Sequence, residues 1–352
     1  MAMTFKRKVG WPWVLFSVIA CFNSIASDPL SFHEFPVGDV SKSFRSTVSG
    51  SGKPGSWKIT ETEVPPLKGE GLASKKRVLV HEGADPTEDH YAMLLLDGDR
   101  FRSCTFAARF RVVDGKSVQA AGIIFRAVND KNYYLFALKP KEKSLYFSIF
   151  LDGKFGFSER IPIELKPDGW VHLSVRCEKD RFYPSINGRD AHPIFRTGET
   201  AEKYARGQIG FWARSDSTAQ FTDVSVTPIL APVQEAVVSQ METDKRLSSL
   251  RVASVRDGKP IYVASHLPQE IGTAAPADLL ESIREGKTYF SKGKEDVTVT
   301  TPLKDKDGEI IGAAAVTFKS SLALTREIAV GRSTGVVKKI EARTRQREDL
   351  FD

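Results

Sequence analysis

Cysteine is scarce in this sequence of 352 residues, which contains only three: Cys21, Cys104 and Cys177. Their spacing matches neither the Cys-x-x-Cys arrangement of a metal site nor that of a redox centre. Cys21 falls in an N-terminal leader, so only the other two could pair, as an oxidising compartment permits. Cys104 and Cys177 are in phase with inward-facing strand positions. They are therefore either a disulfide or two small core residues, depending on whether their strands are neighbours.

Long apolar runs are missing after the leader, since no later segment approaches the ~18 residues of a membrane helix. The N-terminus itself has the order of a secretory signal. Lys6-Arg7-Lys8 is a positive region, residues 9–21 are largely apolar, and residues 24–26 are small enough for signal peptidase. We expect residues 1–27 to be a signal peptide and the mature protein to be secreted or periplasmic.

A second processing route is open at the same end. Residues 18–21, Val-Ile-Ala-Cys, resemble a bacterial lipobox. In that case Cys21 becomes the lipidated N-terminus, and the protein is an outer-membrane lipoprotein with a lipid anchor.

A concentrated basic stripe, the usual mark of a nucleic-acid binder, is also missing. The net charge is +7, but Lys6, Arg7 and Lys8 supply three of those charges, and +4 remains once they are removed. That mild charge gives no reason to expect a nucleic-acid partner.

Catalytic signatures are equally sparse. The sequence contains no P-loop. The E-x-D-x-x-E strand signature of jelly-roll glucanases is absent too, and a glycosidase needs two carboxylates facing one another. We assign no catalytic residue. Asp152, Asp216 and Asp223 are the acids that could hold calcium, although such a site needs several converging oxygens, and we predict no metal site.

Patterning divides the mature chain into four parts. Residues 28–56 are rich in Ser, Gly and Pro and predict an N-terminal arm with room for one edge strand. Residues 57–229 contain short alternating strands separated by turns, which indicates an antiparallel sandwich or jelly roll. Residues 233–319 mix helical and strand periodicity, and residues 320–352 predict a C-terminal helix. The fold class is an all-β jelly-roll sandwich plus a smaller α+β domain.

The sandwich region resembles the concanavalin A-like jelly rolls of the laminin G and 3-keto-disaccharide hydrolase type. The resemblance covers roughly 57–229 and rests on a succession of motifs. These are "AGIIFRAVNDKNYYLFALK" (121–139), "SLYFSIFLDGK" (144–154), "DGWVHLSVRCEKDRFYPSINGR" (168–189) and "GQIGFWARSDSTAQFTDVSV" (207–226). The resemblance implies a convex and a concave sheet, with sugars or other ligands on the concave face.

The second region is similar to the extracellular Cache (PAS-like) sensor domains. The matching residues are "SVRDGKPIYVAS" (254–265), "IG" (271–272) and "TPLKDKDGEIIGAAAVTF" (301–318). The resemblance implies a small-metabolite pocket near Tyr262 and Tyr289. The small residues 312–315 either receive a closely packed helix or leave space for that ligand. Cache domains usually precede a membrane helix, whereas residues 320–352 are charged, and this departure argues against transmembrane signalling by this chain.

Arginines and aromatic residues supply the ligand-binding candidates of the sandwich. Arg109 and Arg111 alternate away from the cysteine side of their strand, and Arg126 closes the next strand. Together they could bind carboxylate- or sulfate-bearing sugars, or they could form a solvated outer face. Tyr133 and Tyr134 should point to opposite faces, with one partly exposed; Tyr134 is the candidate we take forward. Trp212 is the best exposed candidate for stacking on a sugar ring.

These observations predict a non-catalytic binding protein. Its jelly roll would bind carbohydrate or a cell-surface polymer, and its Cache-like domain a small metabolite. One alternative is an enzyme that acts on keto-sugar glycosides, and another is a structural protein–protein adaptor. No cofactor is expected apart from the calcium considered above.

Overall fold

A computed structural model describes residues 32–67, 71–83, 85, 87, 89–98, 100–191, 195–196, 198–200, 204–256 and 258–351. The predicted signal peptide, 1–27, and the lipidation candidate Cys21 lie outside the described residues. The described chain is mostly β and forms two units, each with its own hydrophobic core.

The first unit contains sixteen strands within the described residues. They are β1 (Gly38–Asp39), β2 (Phe44–Gly50), β3 (Ser56–Val64), β4 (Ser74–Glu82), β5 (His90–Leu96), β6 (Cys104–Gly115), β7 (Ala121–Asn129), β8 (Asn132–Lys139), β9 (Ser144–Leu151), β10 (Lys154–Pro162), β11 (Val171–Glu178), β12 (Arg181–Ile186), β13 (Arg189–Asp190), β14 (Phe195–Arg196), β15 (Gln208–Arg214) and β16 (Ser217–Pro228). Short 3-10 turns at Phe32–Glu34, Pro140–Glu142 and Gly198–Thr200 complete the unit.

These strands form two antiparallel sheets. The nine-stranded sheet has the order β1-β3-β4-β16-β6-β11-β12-β13, with β14 also pairing with β12. The seven-stranded sheet has the order β10-β9-β8-β7-β15-β5-β2. One hydrophobic cluster contains residues of both sheets, so the sheets pack face to face as a sandwich.

Alternation of side chains explains the inter-sheet core. On β11, the buried residues Val171, Leu173, Val175 and Cys177 alternate with more exposed ones. Phenylalanines fill much of the space between the sheets, mostly at tilted or edge-to-face angles, which aromatic rings prefer over a direct face-to-face stack. The pairs include Phe106–Phe125, Phe147–Phe182 and Phe211–Phe221.

The N-terminal arm contributes more than the sequence predicts. Residues 28–56 were expected to hold one edge strand, but they supply β1 to one sheet and β2 to the other. β2 is hard to recognise in the sequence because one of its faces carries the polar residues Arg45, Thr47 and Ser49. In the structure these residues pair with apolar residues of β5.

The second unit has an α+β composition. Its elements are α1 (Pro232–Thr243), β17 (Leu247–Arg256), β18 (Lys259–Ser265), α2 (Ala277–Glu285), β19 (Tyr289–Lys292), β20 (Asp296–Lys304), β21 (Ile310–Lys319) and α3 (Arg326–Glu341), with 3-10 turns at Pro268–Glu270 and Arg347–Leu350. The antiparallel sheet has the order β18-β17-β21-β20-β19. Along the chain this is the order 2-1-5-4-3, with its first and last strands side by side in the centre.

Helices cover both faces of that sheet. Residues of α1 and α3 share a core with one face, and Leu279 of α2 packs against Ala253 and Ala313 on the other. The small residues 312–315 therefore receive a helix. The helix predicted over 320–352 is shorter in the structure, since α3 ends at Glu341, and it buries Val336, Val337 and Ile340.

The two units meet at a short connection. Residues 229–231 join β16 to α1, and the Ile229 amide donates to the Ser103 carbonyl at 3.0 Å. Among the described residues, no helix has the length and apolarity that crossing a membrane requires.

Candidate functional site

The predicted arginines lie on different sheets. Arg109 and Arg111 are on β6 of the nine-stranded sheet, where their guanidinium groups lie 5.3 and 4.7 Å from the ring centre of Trp170. Arg109 is 3% exposed and donates to the Pro65 carbonyl. Arg111 donates to the Gln220 side chain at 3.0 Å. Both guanidinium groups therefore lie over Trp170 and donate hydrogen bonds to other groups of the protein.

Arg126 belongs to the other sheet and is buried. It has a positive φ of 48° at an irregularity of β7 and is 1% exposed. Its guanidinium donates to the Arg102 carbonyl at 2.6 and 3.0 Å and to the Lys179 carbonyl at 2.5 Å. It also lies 5.5 Å from the ring centre of Phe182. The structure therefore corrects the expected three-arginine face: Arg126 joins two loops inside the sandwich.

The two adjacent tyrosines point to opposite faces, but neither is partly exposed, since each is 1% exposed. Tyr134, the predicted candidate, packs in the inter-sheet core and lies 2.7 Å from the Thr200 hydroxyl. Tyr133 lies on the outer face and stacks on Phe150 at 4.7 Å. One of the two tyrosines was expected to be partly exposed. The structure corrects this, because a second cluster of buried apolar residues covers the outer face around Tyr133.

We call this outer face of the seven-stranded sheet the concave face. Aromatic side chains from distant strands meet over it: Tyr91 of β5 lies 5.5 Å from Phe155 of β10, although four strands separate β5 from β10 in the sheet order. Flat strands so far apart would be about 24 Å distant, so the sheet curls strongly. The cluster on this face consists of Tyr91, Met93, Leu95, Ala120, Ile124, Ala127, Tyr133, Leu135, Ala137, Phe150 and Trp212.

A cavity of about 190 Å³ remains within the concave face. Registers across five strands place Met93, Trp212, Gly122, Ala137 and Tyr146 in one row. Gly122 and Ala137 offer little side chain in the middle of that row, which leaves the hollow between the larger residues. The cavity is lined by Tyr91, Val118, Ala120, Leu135, Ala137, Lys139, Tyr146, Ser148, Phe155, Ser158, Trp212 and Arg214.

Part of the cavity lining is aromatic. Trp212 stacks on Tyr91 at 5.4 Å with 21° between the rings. Trp212 was expected to be exposed, and the structure corrects this to 2% exposure because the curled sheet encloses it. Phe155, which also lines the cavity, stays 46% exposed. Burial and the hydrogen bond to Asp89 raise the pKa of Tyr91 to about 12, so its hydroxyl stays protonated.

The other lining residues supply cationic and hydroxyl groups. The Lys139 ammonium lies 4.2 Å from the ring centre of Tyr146 and 3.4 Å from Glu142. The Ser148 and Ser158 hydroxyls are 2.9 Å apart. Arg214 forms an ion pair with Asp216 at 3.8 Å. The described lining thus combines two cations with several hydroxyls and contains no carboxylate.

Arg214 is held by a carboxylate that is itself well bonded. Asp216 accepts from the Ser117 amide at 2.8 Å and from its hydroxyl at 2.9 Å. Burial alone would raise the pKa of Asp216, but these hydrogen bonds and the charge of Arg214 outweigh it and lower that pKa. Asp216 therefore stays ionised and holds Arg214 beside the cavity.

Unpaired polar atoms are buried in the same face. Trp212 Nε1, Tyr133 Oη and Ser49 Oγ have no hydrogen-bond partner. Burial raises the pKa of Tyr133, while Ser49 and Trp212 are close enough to oppose that shift without reaching good hydrogen-bond geometry. An unpaired buried polar atom costs about 1–3 kcal/mol. Atoms of this kind favour water or a ligand hydroxyl nearby.

The tyrosines predicted in the second unit do not line a shared cavity among the described pockets. Tyr262 is half-buried beside α2, and the Tyr289 hydroxyl donates to Glu285 at 2.8 Å. A polar cluster lies near Tyr262. Arg251 donates to both carboxylate oxygens of Glu270, and these hydrogen bonds lower the pKa of Glu270 to about 2.

The cysteine and aspartate candidates have clear positions. Cys104 and Cys177 are directly opposed on β6 and β11 and are buried free thiols. Asp223 pairs with Lys76 at 2.7 Å, far along the chain from Asp152 at the β9–β10 turn. Within the described residues, no three acids, histidines or cysteines are grouped so that they could hold a metal ion.

Sequence reasoning missed most of the cavity. It selected Trp212, but not Tyr91, Lys139, Tyr146, Phe155 or Arg214. Alternation along β8 and β9 puts Lys139 and Tyr146 on the same face as Trp212 once the strand order is known. The sequence does not reveal the order of the strands in the sheet, because that order depends on pairing between strands that are distant in sequence.

Comparisons with known proteins give likenesses to solved structures alone. No protein-family model and no curated protein matches the chain. The carbohydrate-binding module CBM66 from Bacillus subtilis is similar, with 20% identity, 49% of this chain and 94% of that chain covered, and a TM-score of 0.36. The cellulose-induced protein Cip1 has 10% identity, 56% and 96% coverage, and a TM-score of 0.36.

A protein with a galectin-like fold from Bacillus subtilis is also similar, with 11% identity and a TM-score of 0.31. The match covers 49% of this chain and 88% of that one. In each of the three cases, the likeness takes in most of the smaller protein and about half of this chain.

Proposed function

We propose that the sandwich binds carbohydrate in the cavity of its concave face. The observation that carries this proposal is that the stacked rings of Trp212 and Tyr91 line the same cavity as the cationic side chains of Lys139 and Arg214. The apolar face of a sugar ring packs on aromatic surfaces, and its hydroxyls need donors and acceptors nearby.

The size of the cavity favours a short ligand. About 190 Å³ is below the ~300–1,000 Å³ of pockets that enclose a drug-sized molecule. We infer that the cavity takes one terminal or protruding sugar unit, with the rest of a chain outside. Binding alone is proposed, because glycoside hydrolysis requires two carboxylates and the described lining contains none.

The decisive experiment compares two phenylalanines of the same strand. Phe155 and Phe157 are each 46% exposed on β10, but only Phe155 lines the cavity. Glycan-array binding and isothermal titration with the best oligosaccharide should show that Phe155→Ala weakens binding at least fivefold, while Phe157→Ala leaves it unchanged. Since each ring is half exposed, both variants should fold.

Equal loss in the two variants would instead mark β10 as a general apolar contact, as in the protein–protein adaptor alternative. If the wild-type protein binds no glycan on the array, the proposal is wrong. Reducing sugar released from a glycoside panel would show catalysis and point to the enzyme alternative.

We propose further that the second unit is a Cache-like, PAS-like domain that binds a small metabolite. The strand order 2-1-5-4-3 supports the Cache-like part of this proposal. Thermal-shift screening of the full chain with a panel of small metabolites tests it, using Tyr262→Ala as the variant that should abolish any stabilisation.

We propose that the protein is exported, on the pattern of residues 1–27. Mass spectrometry of the mature N-terminus distinguishes the routes. Cleavage after residue 27 supports secretion, a lipid-modified Cys21 supports the anchored form, and an intact N-terminus contradicts both.

A further inference from the structure

A groove of about 660 Å³ lies where the sandwich meets the second unit. On one side it is lined by Gly98, residues 100–103 and Arg206 of the sandwich. The other side consists of residues 228–231 and parts of the second unit, which are Gln234, Val263, Pro268, Gln269 and Ile271. Its volume falls in the range of small-molecule pockets, which occur preferentially at domain junctions.

The charges of the groove have one sign. Arg100, Arg102 and Arg206 line it, and its described lining contains no Asp or Glu. The Arg206 guanidinium donates to the Arg100 carbonyl at 3.0 Å, which keeps these two residues together. Neither Arg100 nor Arg206 forms an ion pair with any residue that the structure describes, and both side chains are exposed.

The wall beside the arginines is apolar and fixed. Phe101 pairs with Gly207 through two backbone hydrogen bonds of 2.8 and 3.1 Å. Ile229 is held by its bond to Ser103, and Ile271 lies across the groove. Guanidinium groups can bind an anionic group through paired hydrogen bonds, and the ordered apolar wall can contact an apolar part of the same molecule.

We propose that this groove binds a small organic oxyanion, with Arg100 and Arg206 holding a carboxylate, sulfate or phosphate group and the apolar wall contacting the body of the ligand. The site is separate from the concave cavity and does not depend on carbohydrate binding there. Because its walls come from both units, bound ligand would hold them together.

The test uses matched probes with one aromatic body. Isothermal titration of the full chain at low salt would compare phenyl phosphate, phenyl sulfate and benzoate with neutral benzyl alcohol, and with inorganic phosphate as the head alone. We expect at least one aromatic anion to bind with a Kd on the order of 0.1 mM, inorganic phosphate at least threefold more weakly, and benzyl alcohol not at all. The best head group identifies the oxyanion.

Arginine labelling locates the site without a variant. Phenylglyoxal modification followed by peptide mass spectrometry should show that the bound anion protects Arg100 and Arg206 but not Arg189, an exposed arginine of β13. The double variant Arg100→Gln/Arg206→Gln should lower affinity at least tenfold, whereas Arg189→Gln should leave it unchanged.

Three results would overturn the proposal. They are binding of benzyl alcohol as tight as that of the anions, equal protection of all three arginines, and no detectable binding of any aromatic anion up to about 10 mM.

Discussion

At the scale of single residues, buried polar side chains hold the sandwich together. Arg126 is the largest of these, with three guanidinium hydrogen bonds to carbonyls of two separate loops. Sequence patterning treats an arginine at the end of an apolar strand as an exposed group. Only the packed structure reveals that the β7 irregularity turns it inward.

Replacement of Arg126 distinguishes these two interpretations. Arg126→Ala should destabilise the protein by about 2–4 kcal/mol, because it leaves buried carbonyls unpaired and a cavity behind. Urea unfolding followed by fluorescence measures this, with exposed Arg189→Ala as the control. A variant of normal stability that loses glycan binding would restore Arg126 to the ligand-binding residues.

The buried His81 predicts a pH dependence. Burial lowers its pKa from 6.5 to about 4, although its hydrogen bond to the Ser217 carbonyl, 2.8 Å long, acts in the opposite direction. The folded protein therefore resists protonating this ring, and stability falls as pH drops from about 6.5 to about 4. The loss should be about 2 kcal/mol by pH 5.

The measurement is urea unfolding of wild type and His81→Gln at pH 7 and pH 5. Glutamine cannot titrate, so the variant should lose less stability than the wild type between the two pH values. Identical losses in both proteins would mean that other groups cause the pH dependence.

At the scale of elements, the central strands of the seven-stranded sheet are buried on both faces. β7 and β8 are buried along nearly their whole length. This explains the long apolar runs of the β7–β8 hairpin, since a half-exposed antiparallel strand would instead alternate apolar and polar residues. The alternation rule placed Tyr133 and Tyr134 on opposite faces, but it could not predict that both faces are covered.

Gly122 in β7 tests how closely these strands approach. A Cβ atom there would lie 1.9 Å from the Phe136 carbonyl oxygen, so even alanine must push β8 away. Gly122→Ala should destabilise the protein by about 1–3 kcal/mol. Gly331 in α3 has open space around it, so Gly331→Ala should stabilise it by up to about 1 kcal/mol.

Thermal unfolding of the two single variants gives the comparison. The same chemical change should thus move stability in opposite directions at the two sites. Equal effects would contradict the close approach of β7 and β8.

At the scale of the whole molecule, the chain has two separate cores joined by residues 229–231. Every strand pair of the sandwich lies within 38–228, and every strand pair of the second unit lies within 247–319. Each unit should therefore fold without the other.

A fragment of residues 32–231 tests this independence. It should give a circular dichroism spectrum typical of antiparallel sheet, with little helix, and should unfold cooperatively. The Phe155→Ala comparison should give the same result in it as in the full chain. A helical or unfolded fragment would contradict the two-unit architecture.

Local patterns in the sequence predict most of the elements of the fold. The turn at Gly308 between β20 and β21, the helix α2 ending before Gly286, and the strands of 104–229 all follow from alternation, punctuation and turn residues. The concave cavity does not follow, because Tyr91, Trp212 and Phe155 meet only after strands distant in sequence pair and the sheet curls. Sequence patterning records which way a side chain points, but not what lies above it.

The burial of the opposed thiols of Cys104 and Cys177 limits when they can react. Burial raises the pKa of both, to about 11 for Cys177, so almost no thiolate exists near neutral pH once the protein is folded. Exchange with outside thiols or disulfides needs that thiolate. A disulfide between these two free thiols would therefore have to form while the chain folds, before burial suppresses the thiolate.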